Sequence, residues 1–148
     1  MTIRPTLVWF GLLLGGCQIH VSGLLPLSPS PHGGWVDSLT PTLKWEAFRA
    51  GDEAEITEVV YDLRIMLAGG NEIVYSKDGL STCEHPLETP LEPGRRYSWT
   101  VRARFRSHGE RRLTQWTSIS NPGIRQPLTP VPEGEPLPLR IRANPAPR

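Results

Sequence analysis

Two side chains with metal-binding and nucleophilic chemistry, Cys83 and His85, stand two positions apart. In an extended segment such residues share a face, so a thiolate and an imidazole could be offered to one zinc or Cu(I) ion. A closed structural site needs three or four ligands. The other histidines, His20, His32 and His108, are scattered, and no second pair stands at ligand spacing. For nucleophilic catalysis the base would need a third orienting group and the thiol would have to be exposed. No phosphate-cradling glycine loop or nucleophile elbow is present. The sequence therefore predicts no catalytic residue, no metal and no cofactor, with Cys83 as a buried small hydrophobe, the commonest fate of a free cysteine.

A second constellation is Arg102, Arg104 and Arg106, which alternate with apolar residues in YSWTVRARFR, and Trp116 follows in a neighbouring segment. A guanidinium stacked on an indole is worth ~0.5–1 kcal/mol at an exposed site. This row could read phosphates or sugar acids, or it could be a solvated face with stacked side chains. Solvation is the usual fate of surface charge. The four residues form the candidate binding surface.

The third chemical residue is Cys17, at the end of a short greasy run. Arg4 supplies one positive charge, residues 7–14 are apolar, and Gly15-Gly16-Cys17 follow. The run is too short to cross a bilayer, which takes ~20 apolar residues, and has the anatomy of a secretory signal. Leu14-Gly15-Gly16-Cys17 resembles the lipobox of bacterial lipoproteins. That resemblance implies cleavage between Gly16 and Cys17 and a covalent lipid on the Cys17 sulfur. Two acyl chains hold a protein on a membrane where one does so marginally, at ~0.8 kcal/mol per buried methylene. Gln18 occupies the position where an aspartate would favour retention at the inner membrane. The address implied is the periplasmic side of the outer membrane.

These residues need a scaffold, and composition bounds it. Lysine and arginine number 16 and acidic residues 15, so removing the segment that carries Arg4 leaves the two in balance. Near neutrality argues against a nucleic-acid partner. With Cys17 acylated, Cys83 would be the only thiol, so the fold must rest on its hydrophobic core. The length, 148 residues, admits one domain.

Residues 17–23 read as a lipidated tether leading to an edge strand near 24–27. Leu43 and Trp45 alternate with Thr42, Lys44 and Glu46, as in a half-buried strand. A polar loop (49–58) precedes a second alternation in VVYDLRIML, with Tyr61, Leu63, Ile65 and Leu67 on one side. Gly69-Gly70-Asn71 turns the chain into EIVYS, KDG reads as a further turn, and LSTCEHPLE is a weaker strand limited by Pro86. The clearest strand places Tyr97, Trp99, Val101, Ala103 and Phe105 on one face and the three arginines on the other. SHGERR reads as a loop, and LTQWTSIS with GIRQPL as a last strand broken at Asn121-Pro122-Gly123. Residues 129–148, with alternating prolines, read as a flexible, disordered tail.

Short alternating strands without a helical period imply an all-β sandwich. LSPSPHGGWVDSLTPTLKWEA and LEPGRRYSWTVRARF resemble the opening and the sixth-strand corner of bacterial fibronectin type III-like domains. The resemblance spans 24–128 and implies an immunoglobulin-like sandwich of about seven strands. It gives Trp45 as core and the Tyr97 hydroxyl as bonded to main chain near residues 91–93, and the alternations add Tyr61 and Trp99, so that Trp45, Tyr61, Tyr97 and Trp99 are the expected core. The resulting expectation comprises a signal peptide (1–16), a lipidated tether (17–23), a sandwich (24–128) and a proline-rich tail (129–148). Its function would be that of a non-catalytic envelope module offering strand edges and tail to protein partners. The competing reading is a glycan- or peptidoglycan-binding lipoprotein that uses exposed Trp35 or Trp116 together with the arginines.

Overall fold

A computed structural model describes residues 21–30, 35–50, 55–117 and 136–143. Every element among them is a strand, and two sheets form a sandwich-like all-β arrangement. In chain order the strands are β1 (Val21–Ser22), β2 (Pro26–Ser28), β3 (Trp35–Val36), β4 (Thr42–Trp45), β5 (Arg49–Ala50), β6 (Ile56–Leu67), β7 (Ile73–Leu80), β8 (Glu84–Pro86), β9 (Arg96–Ser107), β10 (Glu110–Leu113) and β11 (Leu137–Ile141).

The smaller sheet has the order β2-β4-β8. The larger runs β7-β6-β9-β11-β3, with β10 also on β9, and β1 pairs β5 separately. β6 and β9 are antiparallel over twelve residues each, from Ile56↔Ser107 to Leu67↔Tyr97. Their alternation decides the register. Tyr61, Leu63 and Ile65 face Ala103, Val101 and Trp99 on the inner side, all 4% exposed or less. A one-residue slip would drive Arg102, Arg104 and Arg106 inward. Leu43 and Trp45 from β4 close the core from the opposite sheet, with the Trp45 indole edge-on to Tyr61 at 5.5 Å.

The C-terminal segment departs from expectation. Residues 129–148 read as a disordered tail, yet β11 lies within them, antiparallel to β9 and parallel to β3. Leu137, Leu139 and Ile141 have no exposed surface. The prolines were expected to remove the donors a sheet requires, but the parity of the ladder removes that objection. Ile141 N–H donates to Arg95 O, whereas Arg142 N–H donates to Val36 O on the other side. Alternation then turns the Pro138 nitrogen away from β9, so its missing N–H costs no bond to that strand.

The segment read as a last strand is described only as far as Thr117. β10 pairs with Phe105 and its neighbours, and the ladder continues through Thr114 N–H to Ala103 O and Thr117 N–H to Val101 O. The Thr114 and Thr117 hydroxyls accept from Ala103 N–H and Val101 N–H at 2.9 and 3.0 Å. β11 then takes up the same edge of β9 from Trp99 to Arg96. GIRQPL and its Asn121-Pro122-Gly123 break lie outside the described residues.

Smaller differences have local causes. SHGERR is not a loop. His108 and Gly109, with φ of 50° and 79°, make a two-residue turn, and Glu110 opens β10. KDG lies inside β7, where Gly79 sits at a register shift with φ of 73° and donates to Asp62 Oδ1 at 3.2 Å. Val21–Ser22, within the stretch read as tether, pair with Arg49–Ala50. That crossing brings Gly23 so close to Ala47 that an added Cβ would lie 2.2 Å from the Ala47 carbonyl oxygen. Only glycine fits there.

Candidate interaction surfaces

The outer face of β6 and β9 gathers the predicted arginines. Asp62 stands opposite Arg102 in the ladder. Its side chain, 2% exposed, accepts from Arg102 Nε at 3.0 Å, from Arg104 Nε at 2.9 Å and from the Gly79 backbone. Arg106 reaches Glu58 at 2.7 Å and Gly109 O at 3.1 Å. Trp116, half-buried, receives the guanidinium groups of Arg64 and Arg102 at 4.4 and 4.5 Å from its ring centroid. Arg102, Arg104, Arg106 and Trp116 are thus brought together, and they are largely occupied with one another and with Asp62 and Glu58. Sequence reasoning placed Asp62 and Arg64 on the outer side of β6 but gave them no role. Only the register, which sets Asp62 against Arg102, identifies the hub.

Cys83 and His85 do not share a partner. The half-buried Cys83 thiol donates to the Tyr61 hydroxyl at 3.5 Å, and that hydroxyl also accepts from Phe48 N–H at 3.0 Å. Burial, reinforced by the thiol, pushes the Tyr61 pKa up to about 12. His85, 6% exposed, is within 2.6 Å of the Tyr75 hydroxyl through Nε2. Among the described residues no three His, Cys, Asp or Glu side chains converge as a metal site would require. His108 occupies the β9–β10 turn, and His20 and His32 lie outside the described residues.

Burial holds the His85 pKa below the ordinary histidine value, with Lys77 pushing the same way and Glu88 opposing. The folded state therefore binds this proton less readily than the unfolded chain. Stability is fully present above the unfolded value of about pH 6.5 and is lost as the pH falls below it through the lower folded value. The expected result is a melting temperature that drops between pH 7 and pH 5, with a flatter profile in His85→Gln. Parallel profiles for the two proteins would show that His85 does not govern this range.

Two further features are exposed. Trp35 on β3 is 53% exposed. β7 pairs only with β6 among the described residues, and Ile73 and Val74 at its start are 48% and 40% exposed. Beside them lies a cleft of about 390 Å³ lined by Val74, Tyr75, Pro90, Leu91 and Tyr97, with Glu72, Glu92 and Arg95 among its polar residues. Further along, side chains reach from β7 to β8 and the residues after it: Tyr75 to His85, and Lys77 to Glu88 at 2.7 Å.

The fold-core residues Trp45, Tyr61, Tyr97 and Trp99 are all buried, and the Tyr97 hydroxyl accepts from Glu92 N–H at 3.0 Å. Gly16 and Cys17 lie outside the described residues. Among the described residues no helix is long and apolar enough to cross a membrane. A scan against protein-family models and searches of curated proteins and of solved structures found no match to this chain.

Proposed function

We propose that the chain is a lipid-anchored, non-catalytic module of the bacterial cell envelope, held through Cys17 at the periplasmic side of the outer membrane. Its sandwich is fibronectin type III-like in this reading. The β2-β4-β8 sheet facing β7-β6-β9 supports that assignment, as does the Tyr97 hydroxyl bond to Glu92 N–H. The observation that carries the functional reading is the edge of β7 that no strand covers among the described residues, with exposed Ile73 and Val74 beside the 390 Å³ cleft. An extended segment of a protein partner would add to this edge as a further strand, main-chain bonds giving affinity and the cleft taking a side chain. With residues 137–141 in the sheet, this reading puts the presenting surface on the sandwich.

The test places a photocrosslinking residue at Val74 or, as control, at Glu110 in cells that express the full chain. A discrete adduct should form from Val74 and be absent from Glu110. Wild type should incorporate labelled palmitate and remain with membranes, while Cys17→Ser should lose the label. Equal crosslinking at both positions would overturn the edge reading, and unlabelled wild type would overturn the anchor.

A second reading, glycan binding, draws on the 53% exposure of Trp35, whose indole is an available stacking surface. Quenching of tryptophan fluorescence by peptidoglycan fragments that Trp35→Ala abolishes would favour it over the protein partner.

A further inference from the structure

The four outer-face arginines of β6 and β9 are not equivalent. Arg102 and Arg104 share Asp62, and Arg106 has Glu58. Arg64 stands opposite Thr100, and no acidic side chain of the described residues pairs with it. What it has is the face of Trp116, 4.4 Å from its guanidinium carbon to the ring centroid. A guanidinium held over an indole keeps its N–H groups around its own edge, available to accept a ligand, while the stack restricts its rotation. It is thus an oriented fork with donors to spare.

That fork lines a cavity of about 210 Å³ together with Met66, Asn71, Thr100, Trp116 and Pro136. A second cavity of about 350 Å³ shares Asn71 and Pro136 and continues past Ser98 and the Gly69-Gly70 turn to Pro138. Together they make a shallow groove across the sheet face, polar at Arg64, Asn71 and Ser98 and apolar at Met66 and the prolines.

The geometry points to this groove as a binding site for a carboxylate-bearing saccharide. The carboxylate meets the Arg64 fork in the bidentate geometry that guanidinium groups favour. The Asn71 amide and Ser98 hydroxyl offer partners for ring hydroxyls, and Met66 and Pro136 cover the ring's apolar side. A peptide is the poorer fit. The groove crosses the face of the sheet, where the backbone groups of β6 and β9 are consumed by their own ladder, so no added strand finds main-chain partners. Recognition must come from side chains, and the first cavity is smaller than the usual drug-sized pocket. The site is separate from the β7 edge and does not depend on the partner proposed there.

The test titrates the full mature chain in detergent with glucuronate, glucose, propionate and an acetylated alanine dipeptide, following the Trp116 indole N–H resonance. Glucuronate should shift it saturably, glucose should not, and propionate should bind more weakly than glucuronate. Arg64→Gln should weaken glucuronate binding at least about tenfold, as loss of a charge-assisted pair implies. Arg64→Lys, which keeps the charge without the fork, should recover only part. Asn71→Ala, which leaves the stack intact, should weaken binding at unchanged melting temperature. Equal shifts by glucuronate and glucose, or undiminished binding in Arg64→Gln, would overturn the assignment. Tighter binding of the dipeptide than of glucuronate would overturn it in favour of a peptide carboxylate.

Discussion

A chain ending after residue 135 will not show a cooperative thermal transition. It loses Leu137, Leu139 and Ile141, none of which has exposed surface in the intact fold. Burying each such side chain is worth ~1.5–3 kcal/mol, and their sum is comparable to the ~5–15 kcal/mol that holds a typical domain together. The deletion also uncovers the edge of β9 from Arg96 to Trp99 and takes away the partner of β3. Circular dichroism melts and amide spectra read the outcome. A chain ending after Ala143 keeps every described strand and should melt like the full-length protein. A cooperative, full-length-like melt for the shorter chain would mean that β11 contributes little to the sheet. The single substitution Leu139→Ala should already cost ~2–5 kcal/mol.

Trp45→Ala is the second large effect expected. The indole is 1% exposed, meets Tyr61 edge-on, and belongs to the three-stranded sheet that closes the core from the far side. Truncation should cost ~3–5 kcal/mol, and Cys83, the described cysteine, is free and supplies no crosslink against that loss. Trp45→Phe separates packing from polarity. The indole N–H is buried without a hydrogen-bond partner among the described residues, so losing it removes no bond, and the smaller ring should cost less than about 2 kcal/mol. Denaturant midpoints for the three proteins provide the comparison. A Trp45→Ala protein as stable as wild type would mean that the two sheets do not depend on this contact.

The contrast between these two positions explains what the sequence could disclose. Trp45 and the β9 alternation were legible because each sits in a period-two pattern whose polar members are unambiguous, and three arginines leave no choice of face. Leu137, Leu139 and Ile141 obey the same period, but proline composition outweighed it. Whether Pro138 is tolerated depends on which side its nitrogen faces, a property of the ladder and not of composition. The burial of His85 was hidden for a related reason. Its three-residue strand owes its place to the register of β4, with Leu43 opposite His85, and too short a run carries no periodic signal. At the outer face, the Arg102–Trp116 association could be anticipated from side-chain chemistry. The hub at Asp62 and the acid-free position of Arg64 required knowing which residue of β6 faces which residue of β9.

The position of β11 in the chain has a consequence for biosynthesis. A polypeptide emerges from its N-terminus, and β11 follows every other described strand. Until residues 137–141 have been made, β9 has only part of its edge ladder and β3 lacks the strand beside it. The parallel Trp35↔Arg140 contact joins residues at opposite ends of the domain, the sort of long closure that slows folding. A nascent chain of this design cannot complete its larger sheet until residues 137–141 have emerged. Residues 137–141 thus act as a latch, the segment whose arrival lets β9 and β3 complete their pairing.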